Sequence, residues 1–136
     1  MDILELTEAA LAARERAYTP YSGFKVGAAL LAKSGKLYQG CNIENAAYTP
    51  TICAERTAFA KAVSEGELEF SAIAVAGWAG KPGFAFPCGV CRQVMMEFCN
   101  PSEFTIIVTN GAEYRKYILA DLLPEGFGPN SLKILE

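Results

Sequence analysis

The chain has 136 residues, 51% of them apolar, with a formal net charge of −3 and no histidine. That length predicts a single domain over residues 1–136 with a sizeable core. No apolar run approaches the roughly eighteen residues that cross a bilayer, the acidic start Met1-Asp2-Ile3-Leu4-Glu5 is unlike an export signal, and no basic cluster offers a surface for a phosphate backbone. The expectation is a cytoplasmic protein with a small-molecule substrate, no membrane contact and no nucleic-acid partner.

Residues 2–18 predict an amphipathic helix, with Ile3, Leu6, Ala10, Ala13 and Ala17 on one face. Thr19-Pro20-Tyr21-Ser22-Gly23 ends it, because a proline pushes its predecessor out of helical geometry. Val26 to Ala32 and Lys36 to Asn42 predict a hairpin turning at Ser34-Gly35, its small residues Gly27, Ala28 and Ala29 leaving room for close helix packing. Asn42 to Tyr48 is too rich in amides to be core. Cys53 to Ser64 predicts a helix with Ala54, Ala58 and Ala62 as its stripe, stopped by Glu65-Gly66. Ser71 to Gly77 predicts a buried strand, Trp78 to Phe86 a loop, and Gly89 to Cys99 a helix with Val90, Val94 and Phe98 at helical spacing. Phe104 to Thr109 predicts a strand, Asn110-Gly111 a turn and Tyr114 to Tyr117 an edge strand. Leu119 to Leu123 is a helical turn, and Pro124 to Pro129 an irregular tail. The order α-β-β-α-β-α-β-β predicts an α/β sandwich, with a mixed sheet of five strands covered by helices.

Five cysteines without an export signal argue against a disulfide framework and for metal or catalytic use. The absence of histidine removes Ser-His-Asp and Cys-His catalysis and every histidine metal ligand. Cys88 and Cys91 have the spacing by which two sulfurs grip one ion, and Cys53 supplies a third, with Glu55 two residues on. Three protein ligands leave one tetrahedral position open, as in catalytic zinc sites. Cys-x-Glu and Pro-Cys-x-x-Cys together form the three-cysteine version of the zinc deaminase signature.

A closed four-sulfur structural site is the alternative. Cys99 lies too far along its helix to join, about 12 Å from Cys91 at 1.5 Å per residue, whereas Cys41, at a strand end, stays within possible reach. Otherwise Cys41 and Cys99 are small buried hydrophobes.

Cys53 and Cys88 both stand just before predicted helices, where free N–H groups and the helix dipole stabilise thiolates. Three thiolates around Zn²⁺ sum to −1, which weakens its effect on water, so a compensating cation is expected. Arg56 and Arg92 are placed to donate to sulfur, and Arg56 is the favoured one; the alternative for each is an exposed arginine in the first turn. Glu55 is positioned to take a proton from the attacking water, pass it to a ring nitrogen and protonate the departing ammonia. Alone it reads as a first-turn glutamate complementing the helix dipole; beside three thiols the catalytic reading is preferred.

Five segments go further: Pro20 to Ala29, Gly40 to Tyr48, Cys53 to Ala58, Pro87 to Gln93 and Leu122 to Gly128. On these the chain resembles the homotetrameric cytidine deaminases over nearly its full length. The resemblance implies a three-layer α/β/α sandwich and one Zn²⁺ per chain held by Cys53, Cys88 and Cys91, with Glu55 as proton shuttle. It implies that Asn42 and Glu44 bind the ribose 3′-hydroxyl, that Phe24 stacks on the pyrimidine and that the Ala54 backbone contacts the base. Tyr48 and Phe127 would close the pockets of neighbouring subunits in a homotetramer. Without the resemblance, Asn42 and Glu44 read as turn residues and Phe24 as core.

The implied reaction is hydrolytic deamination of cytidine and 2′-deoxycytidine in pyrimidine salvage. Rival readings are a deaminase of a cytosine-containing antibiotic, a polynucleotide-editing deaminase and a catalytically inert zinc-binding assembly subunit. The Asn42-Ile43-Glu44-Asn45-Ala46 loop favours the nucleoside over the antibiotic. The lack of a basic surface with spare aromatics disfavours the polynucleotide.

Overall fold

A computed structural model describes residues 1–77 and 83–133. Helix α1 (Ile3–Arg14) begins where Asp2 Oδ1 accepts from Leu4 N at 3.0 Å and Glu5 N at 3.3 Å, satisfying N–H groups that have no partner within the helix. It stops short of the predicted Tyr18 because that residue pairs elsewhere: Tyr18 N donates to Asn42 O at 3.0 Å, and Glu44 N to Tyr18 O at 2.9 Å. A long-range backbone pairing thus overrides local periodicity.

Strands β1 (Gly27–Ala32) and β2 (Leu37–Cys41) form the expected antiparallel hairpin, turned through Gly35 at φ 94°, a left-handed conformation that glycine enters without a Cβ penalty. After helix α2 (Ala54–Ser64), strand β3 (Phe70–Ala76) pairs antiparallel with β1. Helix α3 (Gly89–Phe98) carries the chain over to β4 (Thr105–Thr109), parallel to β3, since a parallel pair needs such a crossover. Strand β5 (Tyr114–Ile118) returns antiparallel at the edge, and the sheet order is β2-β1-β3-β4-β5.

The two faces of the sheet are covered separately. Leu6 and Ala10 of α1 pack on Ala29, Ala74 and Ile107, while Ala54, Ala58 and Ala62 of α2 and Cys91 and Met95 of α3 pack on Leu30, Ile73, Val75, Ile106 and Val108. This is the expected three-layer α/β/α sandwich around a five-stranded mixed sheet. Small residues set the spacing, as predicted. A Cβ on Gly27 would run into Ala10 O and the backbone of Arg14, and one on Gly40 into Ala54 O and, at 2.6 Å, Ala58 N. Helix α2 therefore rests on bare backbone at its first turns, which fixes the level at which Cys53 and Glu55 sit.

The face of α3 differs from its sequence reading. Val90 is 57% exposed, and the buried positions are Cys91 and Met95, with Cys99 just beyond the helix. Cys91 turns inward to meet the other two sulfurs, and Met95, one turn on, fills the core. Val94 and Phe98 lie at its flank, with Phe98 stacked on Phe59. Gly89, the first residue of α3, faces open space.

After the turn helix α4 (Leu119–Leu122), the tail is irregular until a short helix α5 (Pro129–Lys133) that the sequence reading did not include. The loop expected from Trp78 to Phe86 lies outside the described residues up to Pro82. Among the described residues no helix is long and apolar enough to cross a membrane.

Candidate active site

Cys53 and Cys88 are the N-cap residues of α2 and α3, both in extended geometry. Two helices that point their N-termini at one place bring together thiols 35 residues apart, with Cys53 Sγ 3.8 Å from Cys88 Sγ. Cys91, one turn into α3, sets its Sγ 3.5 Å from that of Cys88 and donates its backbone N–H to the Cys88 sulfur at 3.4 Å. All three sulfurs lie within 4.8 Å of one another, an arrangement that could hold a metal ion.

The donor set fits zinc. A tetrahedral ion with Zn–S bonds of about 2.3 Å requires S···S edges of about 3.8 Å, close to the two separations above. Among the described residues no other acidic or cysteine side chain joins the cluster. Cys41 turns away, donating its thiol to Arg16 O at 3.5 Å. Cys99 is buried, and burial pushes its thiol up to about 12. The fourth position is thus not filled by a fourth sulfur.

Hydrogen bonding to the Cys91 thiol, together with the Arg56 guanidinium, holds Cys53 at about 5, far below an ordinary thiol. Pairing with Cys53 and then burial push Cys91 the other way. One negative charge is therefore already concentrated on Cys53 before a cation adds its field. Arg56 Nη2 donates to Cys53 Sγ at 3.7 Å, and its buried Nε has no hydrogen-bond partner among the described residues. That leaves a further buried donor on the guanidinium that already bonds the Cys53 sulfur. Arg92 does not reach sulfur; its Nε and Nη1 donate to Pro87 O and Leu122 O.

Glu55, in the first turn of α2, is 4% exposed. Burial, and secondarily the Cys53 charge, raise its carboxyl to about 7. A helix-dipole partner would sit in solvent with an ordinary carboxylate, so the environment favours the acid–base reading. Glu55 also lines a cleft of about 180 Å³ with Phe24, Val26, Asn42, Ala54, Val75, Phe86 and the cysteines 53 and 88. Thus Phe24, Asn42, Ala54 and Glu55, singled out in the sequence, meet in one hollow beside the sulfurs.

Val26, Val75, Ala85 and Phe86 are cleft walls that the sequence reading missed. Phe86 had a signal, an aromatic directly ahead of Pro87-Cys88; Val26, just ahead of β1, and Val75 of β3 had none, because any sheet interior uses such residues.

Asn42 and Glu44 are occupied by the fold itself. Asn42 Oδ1 accepts from Val26 N and its Nδ2 donates to Phe24 O, both at 2.8 Å. An asparagine amide has further capacity, one N–H and one lone pair. Glu44 accepts from Tyr21 N at 3.0 Å, Ser22 N at 3.2 Å and the Ser22 hydroxyl, and that hydroxyl chiefly lowers its pKa. Both residues anchor the segment that carries Phe24.

Tyr48 and Phe127 stand outside the cleft, 77% and 58% exposed. Tyr48 adopts φ 64°, a strained position for a bulky side chain. The turn is held by Tyr48 N donating to Asn45 O at 2.9 Å and Thr51 N donating to Tyr48 O at 2.8 Å.

Residues 2–107 match the family model described as the cytidine and deoxycytidylate deaminase zinc-binding region. The chain is 50% identical over 132 residues to a cytidine deaminase of Sporosarcina psychrophila, covering 97% of this chain and 96% of that one. It is 48% identical over 128 residues to a cytidine deaminase of Halalkalibacterium halodurans, covering 93% and 95%. The crystal structure of a cytidine deaminase from Burkholderia pseudomallei superposes with a TM-score of 0.87 at 49% identity, covering 93% of this chain and all of that one. One from Mycobacterium tuberculosis gives 0.81 at 38% identity, covering 94% and 98%.

Proposed function

The chain belongs to the zinc-binding family of cytidine and deoxycytidylate deaminases, and from that premise we propose how its own residues carry out the hydrolytic deamination of cytidine and 2′-deoxycytidine. Cys53, Cys88 and Cys91 would hold the zinc, which when bound acts as a Lewis acid that makes water a nucleophile near neutral pH. Glu55 is the proton shuttle. It takes a proton from the attacking water and delivers it to ring N3, then takes the second proton from the hydroxyl formed at C4 and hands it to the amino group as ammonia leaves. In the metal-free chain burial raises this carboxyl towards neutrality, the direction that suits a group which both accepts and returns protons.

Phe24 stacks on the pyrimidine, the Ala54 backbone orients the base, and the remaining capacity of Asn42 and Glu44 takes the ribose 3′-hydroxyl. Arg56 draws charge from Cys53. Exposed Tyr48 and Phe127 reach the pockets of neighbouring copies in a homotetramer. The protein works as one domain, in the cytoplasm, in pyrimidine salvage.

The observation that carries this reading is the buried Glu55 at the wall of a cleft that also presents Cys53, Cys88, Phe24 and Asn42, with the Cys91 sulfur within 4.8 Å of the other two. The test follows loss of ultraviolet absorbance on cytidine with zinc measured on the same sample, for the parent and Glu55→Gln. The expected outcome is about one zinc per chain in both, and turnover reduced by about 10²–10⁴-fold in the variant. Equal turnover would remove Glu55 from the mechanism. Zinc without turnover on cytidine, but with turnover of a cytosine-containing antibiotic, would replace the nucleoside.

A further inference from the structure

The outer side of α3 is a track for the tail. Arg92 Nε donates to Pro87 O and Nη1 to Leu122 O, both at 2.6 Å. Gln93 Nε2 donates to Phe127 O at 2.8 Å. One turn further, Gly128 lies so close to Met96 that a Cβ there would stand 3.0 Å from the Met96 methyl. Three neighbouring residues of one helix thus hold the tail from Leu122 to Gly128, and the first of them also holds the segment before Cys88.

Hydrogen bonds from an ionised donor are short and about twice as strong as neutral ones. A guanidinium fork reaches two carbonyls of different segments at once, which an ammonium on a flexible stem does not do with fixed geometry. Pro87, one end of the bridge, is itself buried. The Arg92 guanidinium makes these two bonds to backbone carbonyls, while its backbone N–H donates to Cys88 O at 3.0 Å as part of the first turn of α3.

We propose that Arg92 is a positioning residue: it clamps the Pro87-Cys88 loop to the Leu122–Phe127 tail, so that the metal loop and the segment carrying Phe127 move as one body. Gln93 completes the tail side of the clamp. The consequence for catalysis rests on the reading of Cys88 as a ligand and Phe127 as a pocket residue; the clamp itself does not.

The test uses zinc-loaded protein and three variants, Arg92→Gln, Arg92→Lys and Gln93→Ala, each checked for folding by circular dichroism. Zinc transfer to a chromogenic chelator reports on the loop, amide deuterium exchange over residues 123–128 on the tail, and the KM and kcat for cytidine on the site. Arg92→Gln should speed zinc transfer about 10–100-fold and raise tail exchange. Arg92→Lys should fall between it and the parent. Gln93→Ala should raise tail exchange and KM while zinc transfer stays parental. If Arg92→Gln fails to fold, Arg92→Lys carries the test. Parental zinc transfer together with parental tail exchange in a folded Arg92 variant overturns the clamp. Loosening of both in a protein that does not deaminate cytidine supports the clamp and removes the functional reading instead.

Discussion

At the residue scale, Glu55 shows how one side chain takes its role from its surroundings. Burial raises it to about 7 from 4.5, so in the folded metal-free chain it keeps its proton across a window where the unfolded chain has lost it. The stability drawn from this group is full below pH 4.5 and is lost as pH rises through 7. Compared with Glu55→Gln, the chelator-treated parent should lose up to about 3 kcal/mol of unfolding free energy across that window. Urea denaturation at stepped pH checks this. A difference that does not vary with pH would mean that the carboxyl is solvated. Glu55 and the Cys53-x-Glu55 spacing were legible in the sequence; the burial that makes the carboxyl useful was not, since it depends on β-sheet residues brought up from elsewhere in the chain.

At the element scale, the position of α2 governs the site. The helix stripe of Ala54, Ala58 and Ala62 and the glycine at position 40 were both visible in the sequence, but their mutual contact was not. Gly40→Ala places a methyl against Ala54 O and Ala58 N, so α2 must shift and carry Cys53 and Glu55 with it. Overpacking of this kind costs about 1–3 kcal/mol, and kcat should fall with the urea midpoint. Gly35→Ala is the control. Its position has φ 94° and open space around it, so the cost is backbone strain of about 1 kcal/mol, with kcat unchanged. Were Gly40→Ala to lose stability and keep full kcat, the link between helix level and site geometry would be wrong. The phase of α3 is the complementary case, where Val90, Val94 and Phe98 suggested a face that the inward-turning Cys91 overrode.

At the scale of the whole molecule, Tyr48 and Phe127 are large and exposed, Tyr48 in a hydrogen-bonded turn and Phe127 in a tail tied to Gln93, a combination suited to contact with another copy. If each reaches into a neighbour's pocket, Phe127→Ala should raise KM by about tenfold or more, as loss of a packed aromatic commonly does. Mixing Phe127→Ala with Glu55→Gln subunits, after dissociation and reassembly, then gives a sharper test. Intact centres of the first gain Phe127 from the second, and activity at low cytidine should exceed the sum of the separate proteins. A simple sum, with sedimentation showing mixed assemblies, would place Phe127 outside the pockets.

The sequence by itself determined the five strands and helices α1 to α4, the α/β layering, the three thiols and the carboxylate beside them. These depend on local periodicity and on short motifs whose spacing survives any arrangement of the rest of the chain. Only the tertiary structure decided that α1 ends early to free Tyr18 for the loop at Asn42, that Val26, Val75 and Phe86 wall the cleft, and that Arg92 bridges Pro87 to Leu122 while Arg56 alone turns to sulfur. Each of these is a contact between segments distant in sequence, and residue type carries no record of which distant partner will satisfy a given donor.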